Sequence, residues 1–239
     1  MNKPKNIKIM VGLFYILLLF IFLYFLFSKF SLEEITNYKF IQTNTDLLIN
    51  LKDSNIFLVS FIFIIFTTIW VLMLGFGSPI ILVAGFIFGK WFGAFLSIAS
   101  LSIGATFLYI FSNYFLKNLV KDKFLTKFKN LEIKFKNNEF IFFLIYRFVG
   151  GIPFQIANIL PVLFNVRLKN YFFGTFLGML PQGFIIASLG NGIEQIIKNN
   201  ESMPNFIDLL LSREIYIPIV SFVFLVVISI FIRRFFYKN

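Results

Sequence analysis

Uncharged apolar runs are the feature that most limits what this chain can become. Ile9 to Phe27, Ile56 to Leu74 and Ile215 to Ile232 each extend for at least 18 residues without a charged side chain. About 20 such residues in a helix cross the hydrocarbon core of a bilayer. A soluble fold of 239 residues has no interior large enough to hide several of them. Only 14% of the chain is charged, against about 25% in an ordinary soluble domain, so lipid must be part of its solvent. The expected fold class is all-α, a polytopic integral membrane protein.

The chain has no Cys and no His. Disulfides, thiol catalysis, thiolate metal sites and histidine base chemistry are therefore excluded. With no metal-ligand spacing and no paired carboxylates inside the apolar runs, neither an enzyme nor a bound metal or cofactor is expected. The net charge of +11 sits in short segments between apolar runs. That pattern reads as a topology signal and as contact with anionic lipid headgroups, not with nucleic acid.

Along the chain, Lys3, Lys5 and Lys8 precede the first run, 9–27. It is longer than the apolar region of a signal peptide, and no small-residue cleavage pattern follows at Ser28-Lys29-Phe30, so an uncleaved transmembrane helix is expected. After a polar segment to residue 55, the run 56–91 is interrupted by Gly75-Phe-Gly77-Ser-Pro79 and contains Gly85 and Gly89. Gly and Pro free backbone groups and stop a helix, so two arms joined at a break are expected. A helix over 91–115 carries Gly93, Ser97, Ser100, Gly104 and Ala105, small residues that let helices pack closely.

The segment 117–139 is rich in lysine, with Phe124, Phe128, Leu131 and Phe135 on one helical face. It reads as a basic amphipathic interfacial helix. A second broken unit spans 140–166, with Arg147, Gly150-Gly151, Pro153 and Pro161. A helix over 168–189 interrupted by Pro181, a polar segment 190–214 and a last span 215–232 complete the chain.

Lysine and arginine excess marks the cytoplasmic side of membrane proteins. The N-terminus, 117–139 and the C-terminus are basic, whereas 28–55 and 190–214 each carry more acid than base. If every apolar run crossed, 117–139 would fall on the wrong side. The conflict disappears if 56–91 and 140–166 are re-entrant hairpins that enter from opposite faces. Four full transmembrane helices and two opposed hairpins in an inverted repeat then satisfy all five segments, with both termini cytoplasmic. Inverted repeats with broken helices are a recurring transporter architecture. The division is residues 1–55, a core 56–192, and 193–239.

The ordered residues Gly77-Ser-Pro79, Ala84-Gly85, Phe88-Gly89, Gly93 and Gly104-Ala105 form the first half of a pattern. Arg147, Pro153-Phe154, Asn158, Gly174, Gly178, Pro181 and Leu189-Gly190 form the second. Together they resemble the VTT-domain family, also called SNARE-associated Golgi proteins, within the DedA superfamily, here a Tvp-type bacterial membrane protein. The resemblance covers about residues 56 to 192. It implies two opposed re-entrant hairpins, and movement of phospholipid or polyprenyl-phosphate lipids by scrambling or flipping; the compact form of the chain suits a bacterial cytoplasmic membrane. Many relatives have a proline where this chain has Gly150, and a paired acidic motif of some DedA proteins is missing from the first hairpin.

Every Asp and Glu lies in the segments 28–55, 117–139 and 190–214. Strict proton coupling through the core is thereby disfavoured. Arg147 is the one deep charge, seven residues into an apolar arm. Placing an arginine at mid-bilayer costs about 2.5 to 3.5 kcal/mol on insertion scales. It either snorkels or caps the broken helix, or its fork binds a lipid phosphate between the hairpins. Gln155, Asn158 and Gln182 either bond between helices or line a headgroup path. Lys90, Lys121, Lys127, Arg167 and Lys169 are candidate interfacial basic residues. The break itself is assigned to Gly75, Gly77, Pro79, Gly85, Gly89, Gly150, Gly151, Pro153, Pro161 and Pro181. A lipid transporter is the leading expectation; a small-solute or ion transporter and a non-transporting membrane organiser are the alternatives. Membrane lipids with anionic headgroups are the expected partners, and homo-oligomerisation is left open.

Overall fold

A computed structural model describes residues 49–124, 138–149, 152–199 and 206–237, with a few positions between residues 10 and 24 and residue 47. Side chains of 116–124, 206, 208, 209 and 233–237 are excluded from the description. Nine of the 19 positions of the first run, Lys127 and the rest of 125–137, and Gly150-Gly151 lie outside the described residues, as does the side chain of Lys121.

The described residues are all-helical: α1 (Ile56–Leu72), α2 (Gly77–Phe88), α3 (Lys90–Phe124), α4 (Glu139–Val149), α5 (Phe154–Ile159), a 3₁₀ turn (Leu160–Phe164), α6 (Leu168–Asn199), α7 (Phe206–Leu211) and α8 (Arg213–Tyr237). Among the described residues three helices are long and apolar enough to cross a membrane, over Lys90–Phe115, Leu168–Asn199 and Arg213–Ile232. The chain is a multi-pass membrane protein in which α6 is the hub, packed against α2, α3, α4 and α8.

The first break occupies residues 73–76, so Gly75 lies within it while Gly77 and Pro79 fall in the first turn of α2. Asn55 caps α1 by accepting the Leu58 N–H, and α1 ends in a turn at Met73 and Leu74, the latter with a φ of 60°. Trp70 holds the turn: its carbonyl accepts the Gly75 N–H at 2.9 Å and its indole N–H donates to the Phe76 carbonyl at 2.9 Å. The Tyr15 hydroxyl donates to the Leu72 carbonyl, one of the acceptors left free at the end of α1. Beyond the turn α2 doubles back, which brings Phe88 edge-on to Phe63 at 5.5 Å. Gly89, with a φ of 79°, then reverses the chain directly into α3.

The second broken unit returns to its own starting point. Glu139, at the start of α4, accepts the Arg167 backbone N–H at 2.6 Å and the Asn170 side-chain amide at 2.9 Å. It also pairs with the Arg167 guanidinium at 3.4 Å. Between these ends the chain passes through Pro153, α5 and the 3₁₀ turn opened by Leu160-Pro161, which Asn165 closes in a left-handed conformation. Removing the Glu139 latch by Glu139→Ala is expected to cost about 1 kcal/mol and lower Tm by about 2–4 °C in a detergent melt.

Four expectations are corrected. The helix beginning at Leu168 does not stop at Leu189 but continues to Asn199. Pro181 does not interrupt it, because a proline removes one backbone bond and neighbouring helices can satisfy what it frees. The helix expected over 91–115 extends to Phe124 and takes in the start of the basic segment. Gly85 is not part of a break: it lies within α2, where an added Cβ would sit 2.0 Å from the Ala187 carbonyl of α6. The expected packing role of α3 is seen at Gly104, where an added Cβ would meet Val71 of α1 at 2.9 Å.

Candidate functional site

Two glycines one helical turn apart let α4 settle on α6. A Cβ on Gly174 would lie 2.7 Å from the Phe143 ring, and one on Gly178 would lie 2.6 Å from Arg147 Cβ. Residues four apart share a helix face. Thr175 therefore stands beside this seat and Tyr171 one turn below it, both fully buried. Arg147 lies in the last turn of α4 and is only 5% exposed.

The guanidinium is held by neutral groups. Its Nε donates to Thr175 Oγ1 at 3.1 Å and its Nη2 to the Tyr171 hydroxyl at 2.9 Å. Its carbon lies 5.2, 5.3 and 6.0 Å from the ring centroids of Phe143, Tyr171 and Tyr146. Such cation–π contacts are worth about 0.5 to 2 kcal/mol each, more when desolvated. Among the described residues no carboxylate pairs with Arg147; the ion pairs there are Lys52–Asp53, Arg167–Glu139 and Lys198–Glu194. The cage offsets part of the cost of burying the charge and leaves its net positive field in place.

Arg147 does not snorkel, since it is buried in protein. Nor does it bond directly to a freed carbonyl among the described residues. Tyr171 acts as intermediary, donating its hydroxyl to the Asn158 carbonyl at 3.0 Å. Tyr146 and Tyr109 satisfy the neighbouring carbonyls of Ala157, at 3.2 Å, and Val166, at 2.7 Å. Three tyrosines thus cap the irregular backbone of the second unit, which is what permits such backbone away from water. Tyr171→Phe removes a buried acceptor of Arg147 and a donor to Asn158 while leaving its stacks on Tyr109 and Phe143 intact. The expected loss is about 1–3 kcal/mol, read as a lower Tm with unchanged helix content.

Beside the cage is a cavity of about 200 Å³ where the two breaks converge. Gly77 and Ser78 at the start of α2 face Arg147, Tyr146, Phe154 and Gln182 across it. A Cβ on Gly77 would touch the Phe154 ring at 3.4 Å, so the starts of the two second arms are in contact. No side chain caps α2, and its first-turn N–H groups have no helical acceptor. A helix N-terminus of that kind favours negative charge, as does the guanidinium. An anion small enough for this cavity would meet both.

Of the expected site residues, Arg147 and Gln182 are brought together on the cavity. Gln155 is half-buried and does not line it. Asn158 is joined to Arg147 only through Tyr171; its side chain is fully buried, with neither amide atom bonded among the described residues. Arg167 is engaged by Glu139, and Lys169 is exposed. Lys90 borders a separate cavity with Asn191, Arg213 and Glu214. Tyr171, Thr175, Tyr146 and Ser78 were not expected; the signal that could have found the first two is their spacing of four on the helix that carries Gly174 and Gly178.

Residues 76–192 match the VTT domain family. The chain is 27% identical to the transmembrane protein 41 homolog of Dictyostelium discoideum over 67% of its own length and 49% of that protein's. It is 25% identical to the Caenorhabditis elegans homolog over 48% of each chain, and 27% identical to human transmembrane protein 41B over 51% of this chain and 43% of the human one. The chain thus spans about half the length of the curated relatives it matches. No solved structure matches it at a significant level.

Proposed function

The chain is a VTT-domain membrane protein, and on that premise we propose that it moves phosphate-bearing lipids between the leaflets of the bilayer, as a scramblase or flippase-like transporter. The observation that carries this reading is Arg147, a buried guanidinium with no carboxylate partner among the described residues, beside a cavity bounded by the uncapped start of α2. The lipid phosphate is its counter-ion, accepting from the fork while the acyl chains stay in lipid. The lipid movement that the family resemblance implies supports the same reading.

In this account 56–91 and 140–166 are re-entrant hairpins from opposite faces, and the first span with α3, α6 and α8 makes four crossings. The return of the second unit to Glu139 and the doubling back of α2 on α1 support that arrangement. Both termini are cytoplasmic, the membrane is the cell membrane, and anionic lipid headgroups are the partners. No covalent chemistry is assigned.

The test is leaflet exchange in vesicles reconstituted with the full chain and a headgroup-labelled phospholipid, measured by reduction of outer-leaflet label. Loss of more label than the outer leaflet holds is expected. Protection of half the label, as in protein-free vesicles, contradicts the reading.

A further inference from the structure

The Arg147 cavity shares two of its lining residues with a second space. Ser78 and Gln182 also form one end of a groove of about 560 Å³ between α2, α6 and α8. Its walls are Pro79 and Leu82 of α2, Ile185, Ile186 and Leu189 of α6, and Phe222 with its neighbours on α8. Positions 182, 185, 186 and 189 are spaced i, i+3, i+4 and i+7, one face of α6. From Gln182 to Leu189 the groove follows that face for about 10 Å. Among the described residues its only polar side chains are Ser78 and Gln182, both at the end shared with the Arg147 cavity.

We propose that this groove seats an acyl chain of a phospholipid whose phosphate occupies the Arg147 cavity, so that the two form one bipartite lipid site. The inference rests on the reading of that cavity as a phosphate site. A charged headgroup sliding along the groove would find no hydrogen-bonding partner from Ile185 to Leu189, a desolvation loss of the kind that makes unpaired buried charges rare. A hydrocarbon chain meets no such loss. A cationic, donor-rich chamber that adjoins an apolar trough at Ser78 and Gln182 matches a ligand with an anionic head and an apolar tail. It does not match free phosphate, which would leave the groove unused. Partway along, at Ile185 and Pro218, the groove shares its wall with a polar cavity of about 410 Å³ lined by Lys90, Asn191, Arg213 and Glu214.

Because the chain has no native cysteine, a bimane fluorophore can be placed at Val223→Cys on the groove wall and, as control, at Phe231→Cys, an exposed position of α8 outside the groove. Each labelled protein is reconstituted in phosphatidylcholine vesicles with increasing chain-brominated phosphatidic acid or chain-brominated diacylglycerol. At Val223, half-quenching is expected at about tenfold lower mole fraction for phosphatidic acid, equivalent to ~1.4 kcal/mol of headgroup recognition. At Phe231 the two lipids quench equally. Arg147→Gln abolishes the preference, and Ile219→Trp, which fills the groove from its exposed wall, reduces quenching by phosphatidic acid at Val223.

Equal quenching by both lipids at Val223, or a preference that survives Arg147→Gln, overturns the proposal. If Arg147→Gln does not yield folded protein, an unchanged response to Ile219→Trp overturns it alone. The outcome is separable from transport. Headgroup preference without leaflet exchange retains the seat and removes the transport reading; leaflet exchange without preference does the reverse.

Discussion

Replacing Arg147 by alanine is expected to lower the rate of phospholipid exchange between leaflets by at least about tenfold, while the protein still purifies as a single species. The tenfold figure corresponds to ~1.4 kcal/mol, the lower end of what a charge-assisted hydrogen bond contributes. Among the described residues the guanidinium is the one cation on the cavity where the two breaks converge. Its removal leaves the Thr175 and Tyr171 hydroxyls, which are polar but uncharged. Folding should survive, because truncation also removes the cost of burying the charge, and the Tyr171 hydroxyl keeps its bond to the Asn158 carbonyl. Arg147→Lys is the informative companion. A lysine retains the charge but not the planar fork that reaches Thr175 and Tyr171 together, so partial activity is expected. Full activity in Arg147→Ala would assign the arginine a purely structural role.

The second large effect concerns packing rather than chemistry. Gly85 and Gly190 lie where α2 and α6 are closest: a Cβ on Gly85 would be 2.0 Å from the Ala187 carbonyl, and one on Gly190 would be 2.0 Å from the Leu82 carbonyl. Backbone is the obstacle in both cases, so no side-chain rotation relieves the clash. Gly85→Leu or Gly190→Leu must separate the helices, and the penalty should reach or exceed the ~1–3 kcal/mol typical of overpacked sites. Both variants are expected to aggregate on detergent extraction or to melt at least about 5 °C below the parent, read by fluorescence-detected size exclusion after heating. Gly89→Ala tests a different property. Its surroundings are open, but its φ of 79° is one that side-chain-bearing residues avoid, so a smaller loss is expected. Equal tolerance of leucine at 85 and 190 would mean that α2 and α6 are not in contact.

Much of this architecture was readable because its breaks are written in glycine and proline. The interruption between α1 and α2 covers residues 73–76, includes Gly75 and ends directly before Gly77-Ser-Pro79, and Pro153 precedes α5. Arg147 stood out as a charge with no sequence-local reason to be there. The length of α6 was not readable in the same way. Hydropathy falls at Asn191, Glu194 and Gln195, yet the helix continues, because its backbone bonds are indifferent to side-chain polarity and its last turns are held by contact with α8 and by an ion pair within the helix. Gly192 rests against the Glu214 carbonyl, where a Cβ would lie at 2.4 Å, and Glu194, largely buried, pairs with Lys198 one turn on at 2.6 Å. A carboxylate expected in a loop is thus within the hub helix.

The cage around Arg147 was invisible for another reason. A tyrosine near the start of a membrane helix ordinarily reads as an interfacial anchor. Only three-dimensional packing shows that Tyr171 faces inward, is fully buried, and links the guanidinium to a carbonyl 13 residues earlier. The same limit applies to Gln155 and Asn158. Their polarity marked them in the sequence, but helix phase sends one to the flank and the other into the interior.

At the centre of the account are two broken units that enter the membrane from opposite faces and leave by the face they entered. Single cysteines at Asp53, Lys90, Asn138 and Lys169, all exposed positions flanking the two units, test this directly with a membrane-impermeant maleimide applied to sealed vesicles of known orientation. Positions 53 and 90 should label from the outside only, and positions 138 and 169 only after the cytoplasmic side is opened to the reagent. Labelling of 53 and 90 from opposite sides, or of 138 and 169 from opposite sides, would show that the corresponding unit crosses the bilayer and would contradict the account.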